Sequence, residues 1–567
     1  MPSTAPEPES ERERERDPEG RSTRRRWWRH WRQDLPAGIT LGVESVPDGL
    51  AGGLLAGVNP VYGLYGYMVG TFFGALGTSS AFMAVQATGA MAVVVADVPA
   101  VQEFGDQALF TLAVMTGVIM LALGLAKLGK AVRWVPNSVL VGFVNAVAVT
   151  IVLGQLDDIT GYDGTGATRL HEAVDTVAHI GQWSWTAMIV GVATMGLIVL
   201  LERTRLGALG MVGAVVLGSL LAFLLESVPV LSDITEVPSG LPPFTLPDVT
   251  LVPELLVAAA SLTFVGLVQG AAISASTPNP DGRYPDPSGD FRGQGIANIA
   301  SGVLSGMPVG GSMSATAIVT RAGARTRMAL MVAGLTMALI VVLLSDLVGY
   351  VAMPALAGLL IMVGARSFKV HAATSVLRTG GVQATAMLVT FVLTIVIPLQ
   401  YAVLVGVGTS LILFVVRQSN RVTLRRWIPQ ADGSFTEGDV PESLGDREIV
   451  VIRPYGSLFF AATPIAEAQL PSIRPGTARS AVILNLRGKE DLGSTFIALV
   501  TRYASRLEEA DSRLYLVGVS ASLDAQLDRT GTAARLGRDR IRTSTPTLRE
   551  STLRAVLDAR HWQDELS

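Results

Sequence analysis

The chain has 567 residues, 49% of them hydrophobic and 16% charged, with a formal net charge of −3 and no cysteine. Soluble domains carry about 25% charged residues, so this balance describes a protein that places much of its surface in lipid. The absence of cysteine excludes disulfides, thiolate metal sites and cysteine nucleophiles.

The charges are segregated along the chain. Residues 1–34 form an arm, ERERERDPEG followed by RSTRRRWWRHWRQD, whose first part is too charged to bury a core and reads as disordered. It lacks the short apolar core and cleavage site of a signal peptide. Its RRRWWRHWR segment is basic and rich in tryptophan, which suits the headgroup level of the cytoplasmic leaflet, so membrane lipids are its expected partner.

Residues 35–417 hold the long apolar runs. A spanning helix needs roughly 20 mostly apolar residues. Candidates lie near 36–56, 61–78, 108–126, 135–155, 186–201, 208–227, 251–273, 328–345, 347–364, 382–397 and 399–416. Shorter, glycine-broken pieces lie near 86–97, 293–306 and 311–321, for fourteen elements in all. An even number puts both termini on one side, and the arginine-rich arm assigns that side to the cytoplasm. The connections then expected inside are basic: AKLGKAVRW (126–134), ERTR (202–205), RAGARTR (321–327) and RSFKVHAATSVLR (366–378). Those expected outside, DVPAVQEFGDQ (97–107) and ESVPVLSDITEVPSGLPPFTLPD (226–248), carry no lysine or arginine, and Arg169 is the only basic residue in an outside loop. The distribution obeys the positive-inside rule.

The parts before and after about residue 240 read as two repeats. Each offers a full span, a glycine-rich span and a short polar-tipped piece: AVQATGAMAVVVA (84–96) in the first and PVGGSMSATAIVT (308–320) in the second. Paired interruptions in corresponding positions mark inverted repeats with a site between two half-helices. A half-helix that begins in mid-membrane turns free N–H groups and a partial positive dipole toward the cavity. Glycines let an anion approach the backbone, and hydroxyls add hydrogen bonds without adding charge. Packing of small residues at a helix crossing is the competing account of either stretch alone. The predicted anion contacts are Gln86, Thr88 and Gly89 at one tip and Ser312, Met313, Ser314 and Ala315 at the other, with Gln269 lining the cavity.

In the first span, VESVPDGLAGG places Glu44 and Asp48 four apart on one helical face. Carboxylates inside a membrane are costly and usually functional. Asp48 is expected to take up a proton as an anion enters; capping of backbone freed by Pro47, or sodium binding, is the alternative. Glu44 is a second coupling candidate, with structural pairing to an arginine or water as its other role.

After residue 447 the composition becomes that of a soluble domain. REIVVIRPYGSLFFAA reads as paired strands, AVILNLRG (481–488) and RLYLVGV (513–519) as buried strands, and 464–470, 494–508 and 549–558 as helices, giving a small α/β domain. Ser494 and Thr495, in DLGST, are expected to cap a helix, with phosphorylation the weaker reading. His171 and His179 stand eight apart without a ligand set, so no metal site is expected. STPNPDGRYPDPSGD (276–290) reads as a turn-rich connector rather than a calcium loop. There is no hydrolase triad, phosphate loop or nucleic-acid module, so neither an enzyme nor a nucleic-acid partner is expected, and no cofactor.

The stretch DLPAGITLGVESVPDGLAGGLLAGVNPVYGLYGYMVGTFFGALGTSS (34–80) resembles the first two spans of the sulfate permease (SulP) family, to which prestin is related. PVGGSMSATAIVTRAGARTR resembles that family's tenth span, which runs P-V-x-G-S-x-S-R-T-A and then G-A-R-T. The resemblance covers most of the chain. It implies a polytopic α-helical membrane protein of fourteen segments in two inverted repeats of seven, a core moving against a gate, a homodimer and a cytoplasmic α/β STAS domain. The implied layout is a charged arm over 1–34, a transporter over 35–417 (repeats about 35–228 and 250–417), a linker over 418–446, STAS over 447–560 and a tail over 561–567.

The chain departs from the family pattern in four places. Ala315 stands where the pattern has Arg, Val85-Gln86-Ala87-Thr88-Gly89-Ala90-Met91 replaces S-G-P-T-G-P-M, Gln269 stands where a glutamate is common, and Asp48 replaces a glutamine. The implied function is proton-coupled transport of an inorganic anion across the plasma membrane, with sulfate first. Bicarbonate, moved by sodium coupling or exchange, is the alternative, favoured by the missing Arg. A non-transporting sensor with STAS output and a carrier of nucleobases or other organic anions are further alternatives.

Overall fold

The computed structural model describes residues 30–129, 136–166, 168–207, 209–225, 228–234, 240–397, 422–430 and 434–565, with isolated positions between 401 and 413. The charged arm before residue 30, most of the AKLGKAVRW connector, the span expected near 399–416 and the end of the tail lie outside the described residues. The chain forms two compact units, Met1–Ser410 and Leu411–Ser567.

In the first unit the helices are α1 (Trp31–Leu55), α2 (Pro60–Gly77), α3 (Gly89–Ala96), α4 (Pro99–Leu125), α5 (Asn137–Leu153), α6 (Leu156–Thr160), α7 (Arg169–Ala178), α8 (Trp185–Glu202), α9 (Leu209–Leu225), α10 (Leu231–Ile234), α11 (Val252–Ser276), α12 (Pro287–Val303), α13 (Met313–Arg321), α14 (Met328–Gly349), α15 (Met353–Ser367), α16 (Val370–Thr379) and α17 (Gly381–Val396). Two short strands, β1 (Ala84–Gln86) and β2 (Gly310–Ser312), precede α3 and α13. Among the described residues, six helical stretches are long and apolar enough to cross a membrane, and α9 and α17 are shorter apolar helices.

Three local readings change. The acidic stretch 97–107 is not a loop, because Pro99 starts α4 and the helix runs on through a kink at Gly105. The piece near 293–306 begins earlier, at Pro287, with Asp286 capping it through the N–H groups of Ser288 and Gly289. The connection 366–378 contains an amphipathic helix, α16.

Contacts sort the spans into two bundles. A core bundle holds α1, α2, α4, α11, α12 and α14 with both strands and half-helices, and a gate bundle holds α5, α8, α9, α15 and α17. Glycines bring the core helices into backbone contact. A Cβ on Gly63 would lie 2.1 Å from the Gly49 carbonyl oxygen and 2.5 Å from the Gly53 nitrogen, so α1 and α2 cross with nothing between them. Two buried aspartates tie one repeat to the other. Asp34 accepts from Arg325 N (2.6 Å), Thr326 N (3.0 Å) and Thr326 Oγ1 (2.6 Å). Asp290 accepts from Ser80 N (2.7 Å), Ser79 Oγ (2.8 Å) and Ser274 Oγ (2.5 Å).

The second unit is a six-stranded sheet in the order β4-β3-β5-β6-β7-β8, formed by β3 (Thr423–Pro429), β4 (Phe435–Asp439), β5 (Ile449–Tyr455), β6 (Ala481–Asn485), β7 (Arg513–Val519) and β8 (Ile541–Thr543). β5 to β8 pair in parallel, while β3 pairs antiparallel with β4 and β5. Alternation along the strands feeds two cores: Val450, Ile452, Val482 and Leu484 face one side and Val451, Ile483, Tyr515 and Val517 the other. Its helices are α18 (Thr463–Gln469), α19 (Ser494–Glu509), α20 (Ala521–Arg529), α21 (Thr532–Leu536) and α22 (Glu550–Glu565). The segment read as a linker therefore supplies a hairpin of the sheet. SLFFAA is not a second strand: Phe460–Ala462 is a 3-10 turn leading into α18. Ser494 is the first residue of α19, and the cap position is Gly493 with no side-chain bond, so neither Ser494 nor Thr495 caps.

Replacing Gly63 by Ala should cost about 1–3 kcal/mol through overpacking. Gly196→Ala, where a Cβ meets nothing within 4 Å, should cost almost nothing. Melting of the detergent-solubilised variants, followed by size exclusion after heating, checks the contrast.

Candidate functional site

The two polar-tipped segments meet. β1 pairs antiparallel with β2 through Ala84↔Ser312, Val85↔Gly311 and Gln86↔Gly310. Each strand runs into a half-helix. Thr88 caps α3, its hydroxyl accepting from Met91 N at 3.4 Å, and Ser312 caps α13, accepting from Ala315 N at 3.3 Å. Beyond these caps, the N–H groups of Gly89, Ala90, Met313 and Ser314 have no hydrogen-bond partner among the described residues. Helix starts leave such donors open, and the dipoles add partial positive charge at the same place.

The strand pair is held from behind by buried side chains of α12 and α13. Asn298 Oδ1 accepts from Val309 N at 2.8 Å and its Nδ2 donates to Val309 O at 2.6 Å. Gln294 Oε1 accepts from Gly311 N at 3.1 Å. Thr316 Oγ1 accepts from Ala84 N at 3.1 Å and donates to Ser312 O at 2.6 Å, which links both strands through one hydroxyl. The centre is tight: a Cβ on Gly310 would sit 2.9 Å from Met91 Cε and 3.1 Å from Gln269 Oε1, so both side-chain ends would have to shift to admit it. Gln294 and Asn298 did not emerge from the sequence reading. Their spacing of four, inside GQGIANIASG, was the available signal for a polar stripe on one helix face.

A cavity of about 1060 Å³ lies in front of the tips. Its wall includes Asp48, Tyr67, Thr88, Gly89, Gln269, Ser312, Met313 and Ser314. It extends to Gly129, Tyr284, Pro285 and Lys369, residues of connectors at the face where α1 begins, and to Pro287 at the start of α12. Thr88 Oγ1 donates to Gln269 Oε1 at 3.1 Å, so the amide oxygen is engaged and Gln269 Nε2 has no protein partner among the described residues. Asp48 lies one helical turn before Gly52, whose added Cβ would be 3.5 Å from the Ala87 carbonyl oxygen, so the carboxylate belongs to the stretch of α1 that packs on the first tip.

Three predicted residues are placed elsewhere. Gln86 is 1% exposed, off the cavity wall, and donates Nε2 to Ser45 Oγ at 2.9 Å. Ala315 is buried in an apolar cluster with Ala37 and Leu41. Glu44 is buried away from the wall, within electrostatic range of Asp48, Arg321 and Glu202. Two cations that sequence reading assigned only to an inside connection do line the cavity. Arg366 is held bidentately by Glu202 at 2.7 and 2.6 Å, while Lys369 has no acidic partner among the described residues. His171 lies in the first turn of α7 and His179 at its C-cap, and no group of metal-ligating side chains is found among the described residues.

Two capped half-helix tips, joined by a strand pair over a cavity reached from one face, are the working parts of a secondary transporter with its site between broken helices. The profile of the Sulfate permease family matches residues 31–390. The chain belongs to that family: it is a multi-pass membrane anion transporter and not an enzyme. YbaR of Bacillus subtilis (strain 168), named as a candidate sulfate transporter, is 30% identical over 407 residues, covering 70% of this chain and 79% of YbaR. The bicarbonate transporter BicA of Picosynechococcus sp. (strain ATCC 27264 / PCC 7002 / PR-6) is 27% identical over 413 residues, 70% of this chain and 72% of BicA. Among solved structures, the murine Solute Carrier 26 family member A9 anion transporter in the inward-facing state superposes with a TM-score of 0.77 at 18% identity, covering 93% of this chain and 91% of that one. The transmembrane domain of a cyanobacterial BicA gives 0.59 at 24% identity over 68% of this chain and 98% of that one. The helical membrane fold follows, and the C-terminal α/β sheet fits the STAS domain expected there.

With no native cysteine, single replacements report the wall directly. Ser314→Cys and Met313→Cys should react with a hydrophilic thiol reagent at least about tenfold faster than Ala315→Cys or Gln86→Cys, whose side chains are buried off the wall. Mass spectrometry of the labelled protein gives the ratio.

Proposed function

We propose that this protein carries sulfate across the cell membrane together with a proton, with both termini in the cytoplasm. The observation that carries the choice of anion is the composition of the two tips. Four unpartnered backbone N–H groups and Gln269 Nε2 are donors. Sulfate is fully ionised at neutral pH and offers only acceptors. Bicarbonate also carries an O–H donor, which the backbone N–H groups of the tips cannot accept and which is left to the Ser312 and Ser314 hydroxyls or the Asp48 carboxylate on the wall. The same caps on both tips support transport over a sensing role, and the basic connectors support the orientation.

Asp48 is the coupling group. Two unit charges 4 Å apart interact by about 4 kcal/mol at an effective dielectric of 20, so an ionised Asp48 and a doubly charged anion oppose one another in one cavity. Protonation removes that repulsion and turns the carboxyl into a donor. Uptake should therefore be strongest at low external pH and fall as rising pH strips the proton from Asp48. Alternating access follows if the core bundle moves against the gate bundle and carries both tips with it. A second reading is bicarbonate, by sodium coupling or exchange: Ala315 supplies no cation, and BicA is among the relatives.

Labelled sulfate and bicarbonate uptake into proteoliposomes tests this. An inward proton gradient should accelerate sulfate uptake at least about tenfold in wild type. Asp48→Asn should keep sulfate exchange and lose the gradient effect, and Gln269→Glu should depress uptake at least about tenfold by placing a carboxylate at the site. Equal, gradient-independent uptake by wild type and Asp48→Asn contradicts proton coupling. Bicarbonate uptake that sulfate does not inhibit moves the substrate to the second reading.

A further inference from the structure

Arg169 is the one lysine or arginine in the connectors at the face opposite the N-terminus of α1. Its backbone belongs to the gate side. It opens α7, which is pinned by Thr176 Oγ1 donating to Asp157 Oδ1 at 2.6 Å and by Trp183 Nε1 donating to Thr176 O at 2.8 Å. Its guanidinium, however, reaches the core. Nη2 donates to Leu55 O at 2.9 Å. That carbonyl ends α1, where helical carbonyls lack partners and the dipole is negative, so a cation is favoured there twice over.

Two further features fit the guanidinium to this place. A Cβ on Gly154, which caps the gate helix α5, would lie 2.7 Å from Arg169 Nη1, so the glycine leaves room for the side chain to pass. Asp97, which caps the far end of the half-helix α3, acts on Arg169 electrostatically, as does Glu172. One side chain thus bonds the gate to the end of α1, which carries Asp48, and lies within electrostatic range of Asp97 at the end of α3, which carries the first tip. It does so at the face from which no described connector residue contributes to the cavity wall.

We propose that Arg169 is an outer latch, a positioning residue that holds core to gate on the far face while the site is open to the near face. Opening toward the far face requires the Leu55 contact to break. The role rests on the transport and orientation proposed above.

The test uses the cysteine-free chain with Ser314→Cys as reporter and a membrane-impermeant thiol reagent applied outside intact cells. A hydrogen bond to a charged group contributes about 1.5–3 kcal/mol, so its loss should raise the rate of outside labelling about tenfold or more. Arg169→Ala should show this rise. Gly154→Ala should show it as well, because its methyl displaces the guanidinium while keeping the arginine. Arg169→Lys, which keeps the charge without the planar fork, should fall between. Labelling in inverted vesicles reports whether each variant is folded. Outside rates equal to wild type in both Arg169→Ala and Gly154→Ala, with vesicle labelling intact, overturn the latch. If Arg169→Ala does not fold, Gly154→Ala alone decides in the same way. A wild-type reporter labelled from outside cells but not in inverted vesicles would overturn the orientation, and the latch with it.

Discussion

Three residues of β1 pair with three of β2, and the whole site depends on that contact. Ala84 and Ser312 are far apart in sequence, yet their pairing fixes the separation of the two tips. Opposed residues of an antiparallel pair lie about 4.5–5.5 Å apart, close enough for one small anion to touch both half-helices. So short a ladder has little strength of its own, since each hydrogen bond adds only about 0.5–1.5 kcal/mol net. Its register is set by Asn298, Gln294 and Thr316, all buried, which satisfy the strand edges that would otherwise face apolar helices. A polar skeleton inside an apolar bundle is what allows non-helical backbone at mid-membrane depth.

The rest of the core repeats this logic across the two halves of the sequence. Asp34, in the first turn of α1, gathers the backbone that follows α13; Asp290, in the first turn of α12, gathers the backbone that follows α2. Each aspartate stands in one repeat and binds the backbone that follows a helix of the other. Glycine contacts such as Gly63 against Gly49 and Gly53 then bring the helices together. The core can move as one body because its repeats are fastened by charge-assisted bonds as well as by packing.

The spans among the described residues, the half-helix tips and the α/β C-terminal unit were legible in the sequence because each has a local signature: apolar length, glycine with hydroxyls, and alternating strands. Side-chain direction at the tips was less so. Gln86 and Ala315 belong to the right segments, but strand and helix phase turn Gln86 toward Ser45 and Ala315 toward Ala37 and Leu41. Glu44 is one turn from Asp48 and still off the wall, because face-sharing by spacing does not specify depth. The early start of α4 was hidden by the polarity of DVPAVQEFGDQ, and the β3–β4 hairpin by its exposed, charged strands. Arg169 was noted as a lone cation, but its partner carbonyl, 114 residues earlier, has no sequence signal.

The cavity combines opposed electrostatic demands. The tips offer partial positive charge from the backbone, Asp48 brings a titratable acid, and Lys369 is a cation nearer the mouth. The account stands on an oxyanion lying between the tips. Diffraction from crystals grown with selenate, collected at the selenium edge, measures that most directly. A peak within hydrogen-bond distance of the Gly89 and Ser314 N–H groups is the predicted result. Selenate that competes with transport but scatters from any other place in the cavity, leaving the tips empty, would contradict it.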